Sequence, residues 1–136
     1  MNPSATAHLP PGQAGVVPPL RVLVVDDFRD AADSLALLLK LLGHDARAVY
    51  DGPTALRVAA SFRPDVVLLD LGLPGLDGYA VARRLRGQVG LLVAATGFGQ
   101  EEDRRRCREA GFDRFLLKPL DLGELQRVLS SSVHSR

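Results

Sequence analysis

DVVLLDLGLPGLDGY, residues 65–79, is the stretch whose reading decides the fold of this chain. Residues 66–69 are aliphatic without a polar break, so they read as a strand buried on both faces rather than an alternating, half-exposed one. The run ends at a carboxylate, Asp70, and Gly72-Leu73-Pro74-Gly75 is loop chemistry. A helix is expected from about Gly78 to Leu85.

The same punctuation recurs on either side. Residues 20–25 form a second apolar run, ending at Asp26-Asp27. A helix over 31–42 follows, with Leu35, Leu38, Leu39 and Leu42 on one face and Gly43 as its stop. Residues 44–49 make a weaker strand, and Asp51 caps a helix to about residue 60. Toward the C-terminus, the strand 91–95 ends at Thr96-Gly97, and a basic helix over 100–110 stops at Gly111. The strand 115–117 ends at Lys118-Pro119, and Asp121 with Glu124 starts a last helix to about residue 129. Five apolar strands alternating with five helices mean an α/β fold, a doubly wound (βα)5 parallel sheet covered on both faces. The domain is expected over 20–130, after a disordered Pro/Gly-rich tail over 1–19 and before a short tail over 131–136.

Composition sets the bounds. With 136 residues, 46% of them hydrophobic, the chain can fill one core and leaves little for a second. A net charge of +1 supplies no long-range field, so neither nucleic acid nor membrane is expected as a partner. Cys107 is the only cysteine, which excludes an internal disulfide and a cysteine metal cage. A free thiol, no secretion signal and an apolar stretch (35–42) far too short for a bilayer point to the cytoplasm. His8, His44 and His134 have no ligand spacing.

Position carries the functional reading. Asp26, Asp27, Asp70, Thr96 and Lys118 each stand at the carboxyl end of an apolar strand. In an open parallel sheet those ends form one rim, where ligands bind. Three clustered aspartates repel one another without a cation, and an all-oxygen donor set favours a hard ion such as Mg²⁺. Lys118 supplies a point charge and Thr96 a hydroxyl, a set suited to phosphoryl transfer onto a carboxylate. Taken singly, each aspartate reads better as a turn or cap residue, and only the joint set with Thr96 and Lys118 favours a functional site.

The motifs VLVVDD, DVVLLDLGLPGLDGY, ATG and FLLKP, in this order, resemble those of the response-regulator receiver family, over about residues 20–129. The resemblance implies the flavodoxin-like strand order 2-1-3-4-5. It implies that Asp70 is the phospho-acceptor, served by a histidine kinase or a phosphotransfer protein. It implies Mg²⁺ held by Asp27, Asp70 and the backbone carbonyl of Gly72, with Asp26 acting mainly through bound water. It further implies that Thr96 and Lys118 engage the phosphoryl group, that the Lys118–Pro119 bond is cis, and that Phe115 is an aromatic switch. A downstream protein partner, not identified by the residues, and a monomer or weak dimer go with this reading. The chain is then not an enzyme beyond catalysing its own phosphorylation and dephosphorylation.

Three departures from the family pattern stand out. The segment between Asp70 and Thr96 is short by about four residues, so the turn at 87–90 should be tight. Gly72, Gly97 and Phe98 occupy positions that often tune phosphoryl lifetime, and Phe28 stands where a polar residue is frequent. A haloacid-dehalogenase-type phosphohydrolase would need a second aspartate where Gly72 stands. A receiver-like module that is never phosphorylated is the other alternative. Arg104, Arg105, Arg106 and Arg108 read as a solvated helix face, with an acidic partner surface as the functional alternative. No output domain is expected after the last helix. The chain is expected to act alone or as the receiver of a hybrid kinase.

Overall fold

The computed structural model describes residues 18–71, 78–97 and 101–134. Residues 1–17 of the expected tail, together with Gly72 and Phe98, lie outside the described residues. Strands β1 (Arg21–Val25), β2 (Asp45–Val49), β3 (Val66–Asp70), β4 (Leu91–Thr96) and β5 (Arg114–Leu117) form one sheet. Helices α1 (Arg29–Leu41), α2 (Gly52–Phe62), α3 (Gly78–Leu85), α4 (Glu101–Ala110) and α5 (Leu122–His134) alternate with them. All neighbours pair in parallel, in the order β2-β1-β3-β4-β5 that the sequence reading expected.

The strand pleat sends alternate side chains to opposite faces, which builds two cores. Leu23, Val25, Val67, Leu69, Leu92 and Ala94 point to one side, under Ala59 and Phe62 of α2, Ala82 and Leu85 of α3, and Cys107 of α4. Val22, Val24, Val66, Leu68, Val93 and Leu116 point to the other, under Ala32, Ala36 and Leu39 of α1 and Leu125 and Leu129 of α5. Both faces are dry, and this explains why the strands read as unbroken apolar runs.

Two elements depart from expectation. Along α1 the buried stripe is Ala32, Ala36 and Leu39, with Leu42 as an exposed C-cap. The small alanines let the helix axis approach the sheet, so the larger leucines flank the contact instead of filling it. The last helix runs to His134, beyond the expected end near residue 129, and Ser132 within the supposed tail is buried. Asp51 caps α2 as expected: its carboxylate accepts from the Thr54 N–H at 2.7 Å, and this bond holds its pKa below the ordinary value.

Two aspartates that the sequence reading passed over brace the amino ends of the strands. Asp65 Oδ2 accepts from the Arg21 N–H at 2.8 Å, and Asp113 Oδ2 accepts from the Leu92 N–H at 2.8 Å. The expected tight turn is present. Gly90 lies so close to Asp65 that an added Cβ would sit 2.6 Å from the Asp65 carbonyl oxygen.

At the same end, buried His44 accepts the Leu20 N–H on Nδ1 at 3.1 Å. Burial lowers its pKa from the ordinary 6.5. The unfolded chain therefore takes up this proton first as pH falls. The His44 contribution is complete above pH 6.5 and is lost as pH falls through the folded value. Urea denaturation between neutral pH and about pH 5, above most carboxylate titrations, should show declining stability, and His44→Gln should flatten that decline. An unchanged slope in the variant would show that His44 is not the group responsible.

Candidate functional site

Strand register assembles the site. Val25 pairs with Leu69 and Asp70 with Ala95, so the next residues, Asp26 and Thr96, flank Asp70 from either side. Thr96 pairs with Leu117, and Lys118 N–H donates to the Thr96 carbonyl at 2.8 Å. The Lys118 Nζ lies 3.2 Å from Asp26 Oδ2 and 3.5 Å from Asp70 Oδ1. Asp26 is buried, Asp70 is half-buried and Asp27 is exposed. Thr96 is buried beside them, and the Lys118–Pro119 peptide is cis.

Carboxylate oxygens of Asp26, Asp27 and Asp70 all lie within 4.8 Å of one another. Three anionic groups this close are held against mutual repulsion, and Lys118 offsets only part of it. The donor set holds oxygen and neither imidazole nor thiolate, which fits a hard divalent cation such as Mg²⁺. Asp26 is already oriented, because its Oδ1 accepts from the Phe28 N–H at 3.0 Å. The first turn of α1 is tied down as well: the Arg29 guanidinium sits 4.1 Å over the Tyr50 ring, and the Tyr50 hydroxyl donates to Asp33 at 2.6 Å.

The model of the response regulator receiver domain matches residues 22–130. The chain belongs to the response regulator receiver domain family. It is 42% identical over 116 residues to the transcriptional regulatory protein PrrA of Mycobacterium tuberculosis, covering 82% of this chain and 48% of that protein. It is 35% identical over 114 residues to the sensor histidine kinase RcsC of Escherichia coli, covering 82% of this chain and 12% of the kinase. The chain thus spans half or less of the curated relatives it matches. Among solved structures, the receiver domain of the sensor histidine kinase PA1611 from Pseudomonas aeruginosa superposes with a TM-score of 0.76 at 34% identity. That match covers 86% of this chain and 99% of the other, which carries a magnesium ion in its active-site cleft. Receivers of both response regulators and hybrid kinases are therefore among its relatives.

In this receiver, Thr96 and Phe115 share a sheet face with Ala94, and Phe115 is half-buried against that core. The four arginines of the run are exposed, as a solvated face requires, and two of them also stack: the Arg104 guanidinium stands 5.3 Å over the Phe115 ring and that of Arg106 4.2 Å over Tyr79. The spacing of Arg104 and Arg106 along α4 could not show this, because both rings come from other elements. Cys107 is buried, and burial pushes its thiol above the ordinary value, which favours the protonated thiol over the nucleophilic thiolate. Among the described residues, nothing lies within 4 Å of where a Gly97 side chain would project. No helix among the described residues is long and apolar enough to cross a membrane.

Proposed function

We propose that this receiver is a phospho-acceptor in a two-component phosphorelay, phosphorylated on Asp70. The observation that carries the reading is the convergence of three carboxylates with the Lys118 ammonium at the carboxyl ends of the strands. A carboxylate oxygen of Asp70 attacks the phosphorus of a phosphohistidine on a histidine kinase or phosphotransfer protein. The O–P bond forms as the N–P bond breaks, and the departing imidazole takes a proton. Asp26, Asp27, Asp70 and the backbone carbonyl of Gly72 would hold Mg²⁺, which supplies positive charge to the transferring phosphoryl oxygens.

Lys118 stabilises the same charge from the other side and then pairs with the acyl phosphate. The Thr96 hydroxyl donates to a phosphoryl oxygen, and Phe115 turns inward as Thr96 moves. Because the acceptor is its own side chain, the receiver has no separate substrate to turn over. It signals to a downstream protein by contact, as a monomer or weak dimer, and works in the cytoplasm.

Purified protein incubated with acetyl phosphate and Mg²⁺ should gain about 80 Da by intact mass spectrometry, one phosphoryl group per chain. Chelation should abolish the gain. A folded protein that binds Mg²⁺ yet gains no mass would favour an interaction module that is never phosphorylated.

A further inference from the structure

Helix α1 begins without a capping side chain: Phe28 stands at its N-cap and makes no side-chain capping bond. Such a start is weakly held, because the first N–H groups of a helix have no intrahelical acceptor. The residues just ahead are Asp26 and Asp27, two of the three clustered carboxylates. Whatever holds the start of α1 therefore also sets where the exposed Asp27 stands.

The hold comes from the loop after β2. Tyr50 follows that strand directly, and its half-buried ring packs against the core that α1 covers. Its backbone is fixed on both sides. Val49 pairs with Val25 and its carbonyl accepts the Asp26 N–H at 3.1 Å, while Asp51 caps α2. From this fixed point the ring lies under the Arg29 guanidinium at 4.1 Å, and the hydroxyl donates to Asp33 at 2.6 Å. Arg29 and Asp33 are four residues apart on one face of α1, so a single side chain ties down the whole first turn.

Asp27 is thus bracketed, by the Asp26–Val49 bond before it and the Tyr50 contacts after it. A metal ligand depends on such outer contacts for its orientation. We propose that Tyr50, acting through Arg29 and Asp33, is a positioning residue that holds Asp27 ready for Mg²⁺; the proposal rests on the reading of Asp27 as a ligand. Tyr50 touches neither the cation nor the phosphoryl group. A loosened loop must be ordered when the cation binds, so losing these contacts lowers Mg²⁺ affinity and leaves the chemistry of the loaded site unchanged.

The test titrates Mg²⁺ into the full chain by calorimetry and follows labelling by acetyl phosphate across Mg²⁺ concentrations. Tyr50→Phe keeps the ring and loses the hydroxyl; it should weaken Mg²⁺ binding about threefold, and Tyr50→Ala about tenfold, at the low end for outer contacts of metal ligands. Half-saturating Mg²⁺ for labelling should rise by the same factors, with the plateau rate unchanged. Asp33→Asn retains an oxygen for the hydroxyl and should stay within about twofold of the parent, whereas Asp33→Ala should match Tyr50→Phe. That pair separates the bond from the lost charge. Arg47→Ala removes a similar stack outside this loop, 4.1 Å over Phe62, and should lower the melting point without moving Mg²⁺ affinity. Melting curves check folding, and Tyr50→Phe with Asp33→Asn carries the test if Tyr50→Ala does not fold. Equal Mg²⁺ affinity in the parent and the Tyr50 variants would overturn the positioning role and leave the metal reading standing. An equal loss in Arg47→Ala, or a lower plateau at unchanged half-saturation, would overturn it too. A folded parent that binds no Mg²⁺ would remove the reading of Asp27 as a ligand and the proposal with it.

Discussion

Asp70→Asn should gain no phosphoryl mass from acetyl phosphate and Mg²⁺ while the parent chain is labelled. It should also melt higher than the parent in Mg²⁺-free buffer. The first effect is chemical, because a neutral amide has no anionic oxygen to attack phosphorus. The second is electrostatic. Asp26, Asp27 and Asp70 crowd within 4.8 Å, and removing one charge relieves two repulsions.

Against that gain stands the lost attraction to Lys118, whose Nζ is 3.5 Å from Asp70. The Lys118–Asp26 pair at 3.2 Å survives, so the balance should favour the variant by about 1 kcal/mol, or roughly 3 °C. Adding Mg²⁺ should narrow or reverse the difference, since a cation bound to the native state stabilises the parent more. Calorimetry of both proteins with and without Mg²⁺ reads this directly. Uptake of the same mass by Asp70→Asn would move the acceptor to another carboxylate. A lower melting point in Mg²⁺-free buffer would mean that repulsion does not dominate the site.

Leu69→Ala should lower stability by about 3–5 kcal/mol, the range for deleting a fully buried leucine and leaving a cavity. Leu69 is wholly buried in the central strand β3, immediately before Asp70, and its core neighbours come from both adjoining strands and the helices over them. Neighbours drawn from so many elements cannot all relax toward the gap. Leu41→Ala, at 76% exposure on α1, should change stability by less than about 0.5 kcal/mol. Urea titrations of both variants settle the contrast. A cost at Leu69 close to that at Leu41 would contradict the burial described here.

The comparison of these two leucines bears on how far the chain could be read in advance. Both lie in leucine-rich runs, and composition does not separate them. Residues 66–69 were legible as a core strand because a run of four aliphatics closed by a carboxylate is buried on both faces in a parallel sheet. The leucines of α1 were less legible, since Leu35, Leu37, Leu38, Leu39, Leu41 and Leu42 point most of the way round a helix. Only contact with the sheet chose Ala32, Ala36 and Leu39 as the buried stripe. The end of α5 was missed for a related reason: the Ser130-Ser131-Ser132 run has no apolar period, and helix there depends on the packing that buries Ser132.

The sequence by itself determined the element order, the two-faced parallel sheet and the identity of the five polar residues at the strand ends. Strand ends are local features, and a parallel sheet necessarily brings them to one rim. Tertiary structure alone decided the rest: Lys118 between Asp26 and Asp70, Arg104 over Phe115, and Asp113 bracing Leu92. Each joins residues from different elements, through side-chain rotamers and strand registers that local periodicity does not encode.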